Sequence, residues 1–238
     1  MWSNHIKYRW SMRTHQLVLQ WIENQLSAGE LTLGGRLPAE RMLAEQLEVS
    51  RTSVREAIRI LEAMGVVRAG VGSGKDAGTV VIADPTTALG SALRLHVATS
   101  HLPVADIVET RVLLESWAAA RARTDSPALT EAAALLEQMD SAVDTEEFLG
   151  LDVRFHLALA EAAGNAVVSA MMGSLREAIQ SYAGTFTANL PDWDATAARL
   201  RAEHREILAA ISHNDGARAA DLVAAHIEGY YKEAGLAD

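Results

Sequence analysis

The 238-residue sequence contains no cysteine, which excludes disulfide bonds and thiolate-bound metal sites. It has no apolar run of membrane-spanning length and does not open on a charged-then-apolar secretion signal. Aromatic residues are scarce at 5% and there are only five prolines, whereas alanine and leucine are frequent and favour helices. These features predict a mainly α-helical, cytoplasmic protein without a membrane partner.

The net charge of −10 argues against a nucleic-acid partner when it is considered alone, but the charge is unevenly distributed. Residues 1–83 carry ten Lys/Arg and eight Asp/Glu, a net charge of +2. Residues 84–238 carry eleven Lys/Arg and twenty-three Asp/Glu, a net charge of −12. This asymmetry predicts two domains with different tasks, residues 1–83 and residues 84–238.

Three apolar-periodic segments between residues 14 and 64 predict three short helices in the first domain. The second, about residues 38–47, and the third, about residues 51–64, are separated by a three-residue turn, and Ser50 is suited to cap the third helix. Two β-prone runs around a glycine-rich loop follow and predict a hairpin. Together these segments predict a winged helix-turn-helix.

Hydrogen-bond donors are concentrated where a recognition helix contacts base edges and phosphates, namely at the start of the third helix. The candidate DNA contacts are Arg41, Arg51, Thr52, Ser53, Arg55 and Lys75 of the hairpin loop. The competing interpretation is that surface arginines only increase solubility. The pair Gly74-Lys75 is not a nucleotide-binding P-loop, because Asp76 follows where Ser or Thr is required and a strand follows in place of a helix.

Residues 34–82 resemble the winged helix-turn-helix of GntR-type bacterial regulators. The resemblance is carried by LPAER at residues 37–41, VSRTSVREA at residues 49–57, Leu61 and Gly65. It implies that DNA is contacted by Arg41, Arg51 and Arg55, assisted by Ser50, Thr52, Ser53 and Gly72.

The second domain shows helical patterns separated by breaks such as Pro103, Ser126-Pro127, Gly164-Asn165 and Pro191. The predicted helices are about residues 86–100, 104–123, 129–140, 145–163, 166–187, 194–212 and 216–234. No strand pattern interrupts them. The expected architecture is an antiparallel bundle of six or seven helices.

Four polar side chains lie on helix faces that the pattern predicts to be buried. Asp152 and His156 are four residues apart on one helix, and His204 and His226 lie on two others. Buried polar groups need partners. Oxygen and imidazole ligands of this kind suit Zn²⁺, Ni²⁺ or Mn²⁺. The alternative is that each histidine is a structural residue with an internal hydrogen bond.

Arg111 is also predicted to point inward, since Ile107 precedes it by four residues and Leu114 follows it by three. A buried guanidinium requires an anion. Either Glu115, one helical turn later, or the carboxylate of a small ligand satisfies this requirement.

The second domain resembles the FCD effector domain of the FadR-like subfamily. The shared pattern includes Glu109, Arg111 and Glu115, then Asp152 and His156, then Gly164-Asn165, Glu203-His204 and His226. The resemblance implies a metal held by Asp152, His156, His204 and His226, with a carboxylate metabolite bound by the metal and by Arg111. Acyl-CoA is disfavoured as the ligand, because the members that bind it generally lack this quartet.

The combined interpretation is a homodimeric transcriptional regulator, a repressor, that binds double-stranded operator DNA and responds to a small carboxylate. A dimer is expected because a single short reading head seldom gives sufficient affinity. Two alternatives stay open: a constitutive DNA-binding protein with a structural metal, and a metal-dependent hydrolase.

Overall fold

The computed structural model describes residues 13–70, 78–142, 144–180 and 182–235, and the chain divides into two compact units, Met1–Ala88 and Leu89–Asp238. None of the described helices is long and apolar enough to cross a membrane. The described elements in chain order are α1 (Thr14–Ser27), α2 (Glu40–Leu47), α3 (Arg51–Ala63), β1 (Val67–Gly70), β2 (Gly78–Val81), α4 (Pro85–Ala98), α5 (Val104–Arg121), α6 (Pro127–Asp140), α7 (Thr145–Ala162), α8 (Ala166–Gln180), α9 (Ala183–Asn189), α10 (Trp193–Ser212) and α11 (Gly216–Glu233).

The first unit is built on the predicted three helices and hairpin. Helices α2 and α3 are joined by a turn in which Glu48 adopts the left-handed backbone conformation, with φ of 54°. Ser50 caps α3, because its Oγ accepts a hydrogen bond from the backbone N–H of Ser53 at 3.0 Å. Helix α2 begins at Glu40, two residues later than predicted, because Ala39 is still extended and serves as the N-cap.

The core of this unit joins all three helices to the hairpin. Val18 and Ile22 of α1 pack in one cluster with Leu43 of α2 and Val54 of α3, and none of the four has exposed surface. This packing sets the position of α3, so that its first turns are held by buried apolar contacts.

Strands β1 and β2 form the predicted hairpin. They pair antiparallel, with Val67 opposite Val81 and Gly70 opposite Gly78. Residues 71–77, between the two strands, lie outside the described residues, and the predicted DNA contacts Gly72 and Lys75 are among them.

The second unit is helical, as predicted. Helix α5 packs along α11, α6 packs along α7, and α10 packs against α11. The side chains of Leu135, Phe148, Phe155 and Ile207 are buried at the centre of this cluster. A mainly α fold with an N-terminal winged helix-turn-helix and a helical second domain is therefore confirmed.

The described part of the chain after residue 84 contains eight helices, not the expected six or seven. The predicted helix at residues 166–187 is interrupted, so that α8 ends at Gln180 and α9 begins at Ala183. The Tyr182 N–H donates to the Ile179 carbonyl, three residues back, which tightens and ends the turn. The new direction buries Phe186 edge-on against Tyr231 at 5.3 Å between ring centroids.

Candidate functional site

The start of α3 presents several of the predicted DNA contacts to solvent. Arg51, Thr52 and Arg55 are exposed, as is Arg41 on α2. The Arg55 guanidinium donates to Glu40 Oε2 at 3.1 Å. An exposed ion pair of this kind contributes little to stability, so it holds Arg55 only weakly.

Ser53 departs from its predicted role. Its side chain is buried, and its Oγ lies 2.6 Å from Thr14 Oγ1 and 2.9 Å from Ser50 Oγ. The reason is its position four residues before the fully buried Ala57, which places both on the inner face of α3. The expectation that the Ser53 side chain contacts DNA is therefore corrected: the hydroxyl connects α1 to α3.

In the second unit, helices α7, α10 and α11 bring the four predicted ligands together. The Nε2 atom of His226 lies 3.2 Å from Nε2 of His156 and 3.2 Å from Nε2 of His204. Asp152 Oδ1 lies 3.1 Å from His204 Nε2 and 3.7 Å from His156 Nε2. The three histidines are buried and the aspartate is half-buried. The four residues thus form a group that could hold a metal ion.

These separations fit a single metal ion. Zinc–nitrogen and zinc–oxygen bonds of about 2.0–2.1 Å place neighbouring ligands about 3.4 Å apart in a tetrahedron and about 2.9 Å apart in an octahedron. Four of the six separations lie between 3.1 and 3.7 Å, and all four ligand atoms lie within 4.8 Å of one another. Small adjustments of the side chains would bring every donor atom to bonding distance.

The protonation pattern of the imidazoles also favours a cation. His156 Nδ1 lies 2.5 Å from Glu115 Oε2, and His226 Nδ1 lies 2.8 Å from Glu203 Oε2, and a carboxylate this close favours the tautomer with the proton on Nδ1. The Nε2 atoms of His156 and His226 then face each other with lone pairs at 3.2 Å. A cation between them removes this repulsion.

Burial keeps His204 and His226 neutral. Burial, with a smaller contribution from His226, lowers the pKa of His204 to about 3. Burial likewise lowers the pKa of His226. Burial opposes ionisation of Asp152, but His156, His204 and Arg176 outweigh it and hold the pKa of this carboxyl well below its usual range. Neutral imidazoles and an ionised carboxylate are the forms that bind metals.

Two buried arginines lie beside the cluster. Arg111 donates from Nε to Glu115 Oε1 at 2.9 Å and from Nη1 to the Tyr231 hydroxyl at 2.6 Å. Arg176 donates to Asp152 Oδ2 at 3.2 Å and to Glu115 Oε2 at 3.4 Å. The inward orientation expected of Arg111 is observed, and of the two expected anions the structure contains Glu115.

Three members of the cluster, Asp152, His156 and His226, line one cavity of about 820 Å³ within the second unit together with both arginines. This volume is in the range of small-molecule sites. Arg111, Arg176, Asp152, His156 and His226 supply its polar wall. Apolar and aromatic side chains cover the remainder, including Leu149, Leu200, Phe186, Tyr230 and Tyr231.

Sequence reasoning did not single out Arg176. The signal was present, because Met172, Leu175 and Ile179 on the same helix are apolar and buried, and Arg176 lies four residues after Met172. The inward-facing rule that identified Arg111 therefore also identifies Arg176.

Comparison with known proteins decides the family. Residues 14–75 match the model of the bacterial regulatory proteins of the gntR family, and residues 106–229 match the model of the FCD domain. The chain belongs to the GntR family of bacterial transcription regulators. Within it, the FCD domain is consistent with the FadR-like subfamily.

Curated relatives align with this GntR-family regulator over most of its length. The HTH-type transcriptional regulator LutR of Bacillus subtilis is 31% identical, with 86% of this chain and 97% of LutR covered. The putative L-lactate dehydrogenase operon regulatory protein of Escherichia coli is also 31% identical, with 83% of this chain and 77% of that protein covered.

Among solved structures, Streptococcus agalactiae GntR superposes with a TM-score of 0.68 at 26% identity, covering 92% of this chain and 99% of that one. The two matching domain families belong to transcription regulators, and the curated relatives are regulators and not enzymes. The hydrolase alternative is therefore set aside.

Proposed function

We propose that this GntR-family regulator is a homodimeric repressor whose operator affinity is controlled by a small carboxylate bound beside a divalent metal. The observation that supports this most is the grouping of Asp152, His156, His204 and His226 beside a cavity that Arg111 also lines. If no arginine lay beside these four candidate ligands, the site would suit a purely structural metal equally well.

Operator recognition is assigned to the first unit. Arg41, Arg51 and Arg55 are exposed donors that suit guanine edges and phosphates, and Thr52 is exposed beside them. Ser50 would place the N-terminus of α3 near a phosphate. Gly72 and Lys75 of the wing are proposed as backbone contacts. A homodimer would present two such heads to a pseudo-palindromic site in the cytoplasm.

Effector recognition is assigned to the cavity of the second unit. Asp152, His156, His204 and His226 would hold Zn²⁺, Ni²⁺ or Mn²⁺, and a four-ligand site of these donors can accept a further oxygen from a carboxylate. Arg111 would supply a guanidinium to the same anion. L-lactate is the first compound to test, because the name of the Escherichia coli relative refers to an L-lactate dehydrogenase operon.

Repression predicts that the carboxylate weakens operator binding. A coupling of about 1–3 kcal/mol would change the operator affinity by about 5- to 150-fold. One relative is named the Glc operon transcriptional activator of Escherichia coli, so the direction needs its own measurement. A reporter gene placed behind the operator should be expressed more strongly when the carboxylate is supplied, and lower expression would contradict repression.

A constitutive DNA-binding protein with a purely structural metal is the second candidate, and metal analysis combined with thermal melts separates the two. Chelation should lower the melting temperature in either case. Only the regulatory site should show a further rise when L-lactate or a related carboxylate is added to the metal-loaded protein. That further rise should disappear in Arg111→Met. If a panel of small carboxylates leaves the metal-loaded melting temperature unchanged, the structural role is favoured.

A further inference from the structure

Glu115 on α5 is a buried carboxylate with three donors around it. Only 4% of the residue surface is exposed. Its Oε1 accepts from Arg111 at 2.9 Å, and its Oε2 lies 2.5 Å from His156 Nδ1 and 3.4 Å from Arg176 Nη2. One side chain thus contacts a candidate metal ligand and both arginines of the cavity.

Arg176 and Arg111 compensate the buried charge of Glu115, and with His156 they hold the pKa of this carboxyl well below its usual range. An ionised carboxylate accepts about four hydrogen bonds, so the contact with His156 uses capacity that the arginines leave free. This contact determines which imidazole nitrogen carries the proton. With the proton on Nδ1, the Nε2 atom of His156 is left as an acceptor that faces Asp152 and His226.

We infer that Glu115 is a positioning residue that serves the metal site and the carboxylate site at once: it fixes the His156 ring for metal binding and occupies the arginines until an effector carboxylate arrives. The inference rests on the proposed function. Removing the charge of Glu115 should therefore change metal affinity and carboxylate affinity in opposite directions. Removing the charge of Glu115 weakens the hold on the metal ligand, but it also frees guanidinium donors and removes a negative charge near the incoming anion.

Glu203 provides a matched control, because it makes only one of these contacts. Its Oε2 lies 2.8 Å from His226 Nδ1, just as Glu115 Oε2 lies 2.5 Å from His156 Nδ1. Its arginine partner is Arg199, at 2.7 Å, which is not among the residues that line the cavity. The pair Glu115→Gln and Glu203→Gln therefore separates the metal task from the arginine task.

The experiment uses the full-length protein and two titrations. Competition with a chromophoric chelator measures Zn²⁺ affinity, and calorimetry measures L-lactate and malonate binding to the Zn²⁺-saturated protein. Both variants should bind Zn²⁺ about 10- to 100-fold more weakly, the usual effect of losing a carboxylate behind a metal-bound histidine. The carboxylates should bind Glu115→Gln at least about tenfold more tightly than wild type, because a nearby like charge changes affinity by about one to three powers of ten. Their affinity for Glu203→Gln should stay within about twofold of wild type.

The outcomes are distinguishable. If the wild-type protein binds no Zn²⁺, Ni²⁺ or Mn²⁺, the proposed function itself fails. If wild type binds Zn²⁺ and Glu115→Gln binds it within about twofold of wild type, only the role of Glu115 is overturned. Weaker carboxylate binding to Glu115→Gln, or equal carboxylate affinities in the two variants, overturns the competition with the arginines.

A measurement on the wild-type protein covers the case in which Glu115→Gln does not fold. Nitrogen-15 NMR of the metal-free protein distinguishes the two neutral imidazole tautomers, and His156 should carry its proton on Nδ1. His226 should show the same tautomer, because it has the equivalent carboxylate contact. A proton on Nε2 of His156 would overturn the inference.

Discussion

Gly65 ends the recognition helix α3 and is a site where a single methyl group should have a large effect. Its backbone has φ of +67°, in the left-handed region. Its N–H donates to the Glu62 carbonyl at 3.0 Å, and its own carbonyl accepts from the Asp84 N–H at 2.7 Å. A Cβ atom at this position would overlap the Asp84 carbonyl oxygen. Substitution by alanine therefore combines a backbone penalty with a steric conflict against main chain.

Gly29 allows the two contributions to be separated. It has a similar φ of +74°, but a Cβ atom there meets nothing within 4 Å. The left-handed conformation costs an alanine about 1–2 kcal/mol, and the reduced freedom of the unfolded chain returns about 0.4–1 kcal/mol. Gly29→Ala should thus lower the stability of the first unit by about 1 kcal/mol. Gly65→Ala should add about 1–3 kcal/mol for the steric conflict, as overpacking usually does.

Hydrogen exchange followed by mass spectrometry measures this effect within the full-length protein. Peptides covering Arg51–Ala63 report the opening free energy of α3 without relying on one unfolding transition for both units. The Gly65→Ala variant should exchange these amides faster than Gly29→Ala by the factor that corresponds to 1–3 kcal/mol, about 5- to 150-fold. Equal exchange in the two variants would refute the reasoning, because it would mean that the Asp84 main chain moves aside without cost.

Three further substitutions have defined outcomes. Arg51→Ala should weaken operator binding by about 1–3 kcal/mol, measured by fluorescence anisotropy. Arg218 is an exposed arginine of the second unit, and Arg218→Ala should leave operator binding unchanged. Equal effects of the two substitutions would contradict a recognition role for Arg51. Asp152→Ala should weaken Zn²⁺ binding in a chelator competition by more than the 10- to 100-fold of an outer-shell change, and unchanged affinity would exclude it as a ligand. Leu135→Ala, at a fully buried position, should cost about 2–5 kcal/mol in urea unfolding, and a loss below 1 kcal/mol would contradict tight packing there.

Much of this architecture could be predicted because it depends on local pattern. The helix boundaries of the second unit follow prolines and glycines, and His156, His204 and His226 are buried as their apolar neighbours indicated. The break between α8 and α9 was not predicted, because no proline stands there, Gly184 lies inside α9, and the tertiary burial of Phe186 stabilises the turn.

The site was predicted less completely than the fold, because side-chain pairing depends on which helices become neighbours. The pairing of His226 with Glu203 joins α10 and α11, and the contact of Glu115 with His156 joins α5 and α7. Periodicity places each residue on an inner face but does not indicate its partner across the core. For Ser53 the local pattern was informative but was not used, because its spacing of four residues from the buried Ala57 places it on the inner face of α3.

Operator affinity measured in four states tests the central claim most directly. The DNA is selected by repeated rounds of binding to the Zn²⁺-loaded protein. It is then titrated with metal-loaded and with chelated protein, each in the presence and absence of a carboxylate. The carboxylate is L-lactate or another small carboxylate that raises the melting temperature of the protein. The account predicts that the carboxylate lowers affinity by about 5- to 150-fold only when the metal is present, and that Arg111→Met abolishes this effect. Equal operator affinity in all four states would contradict it.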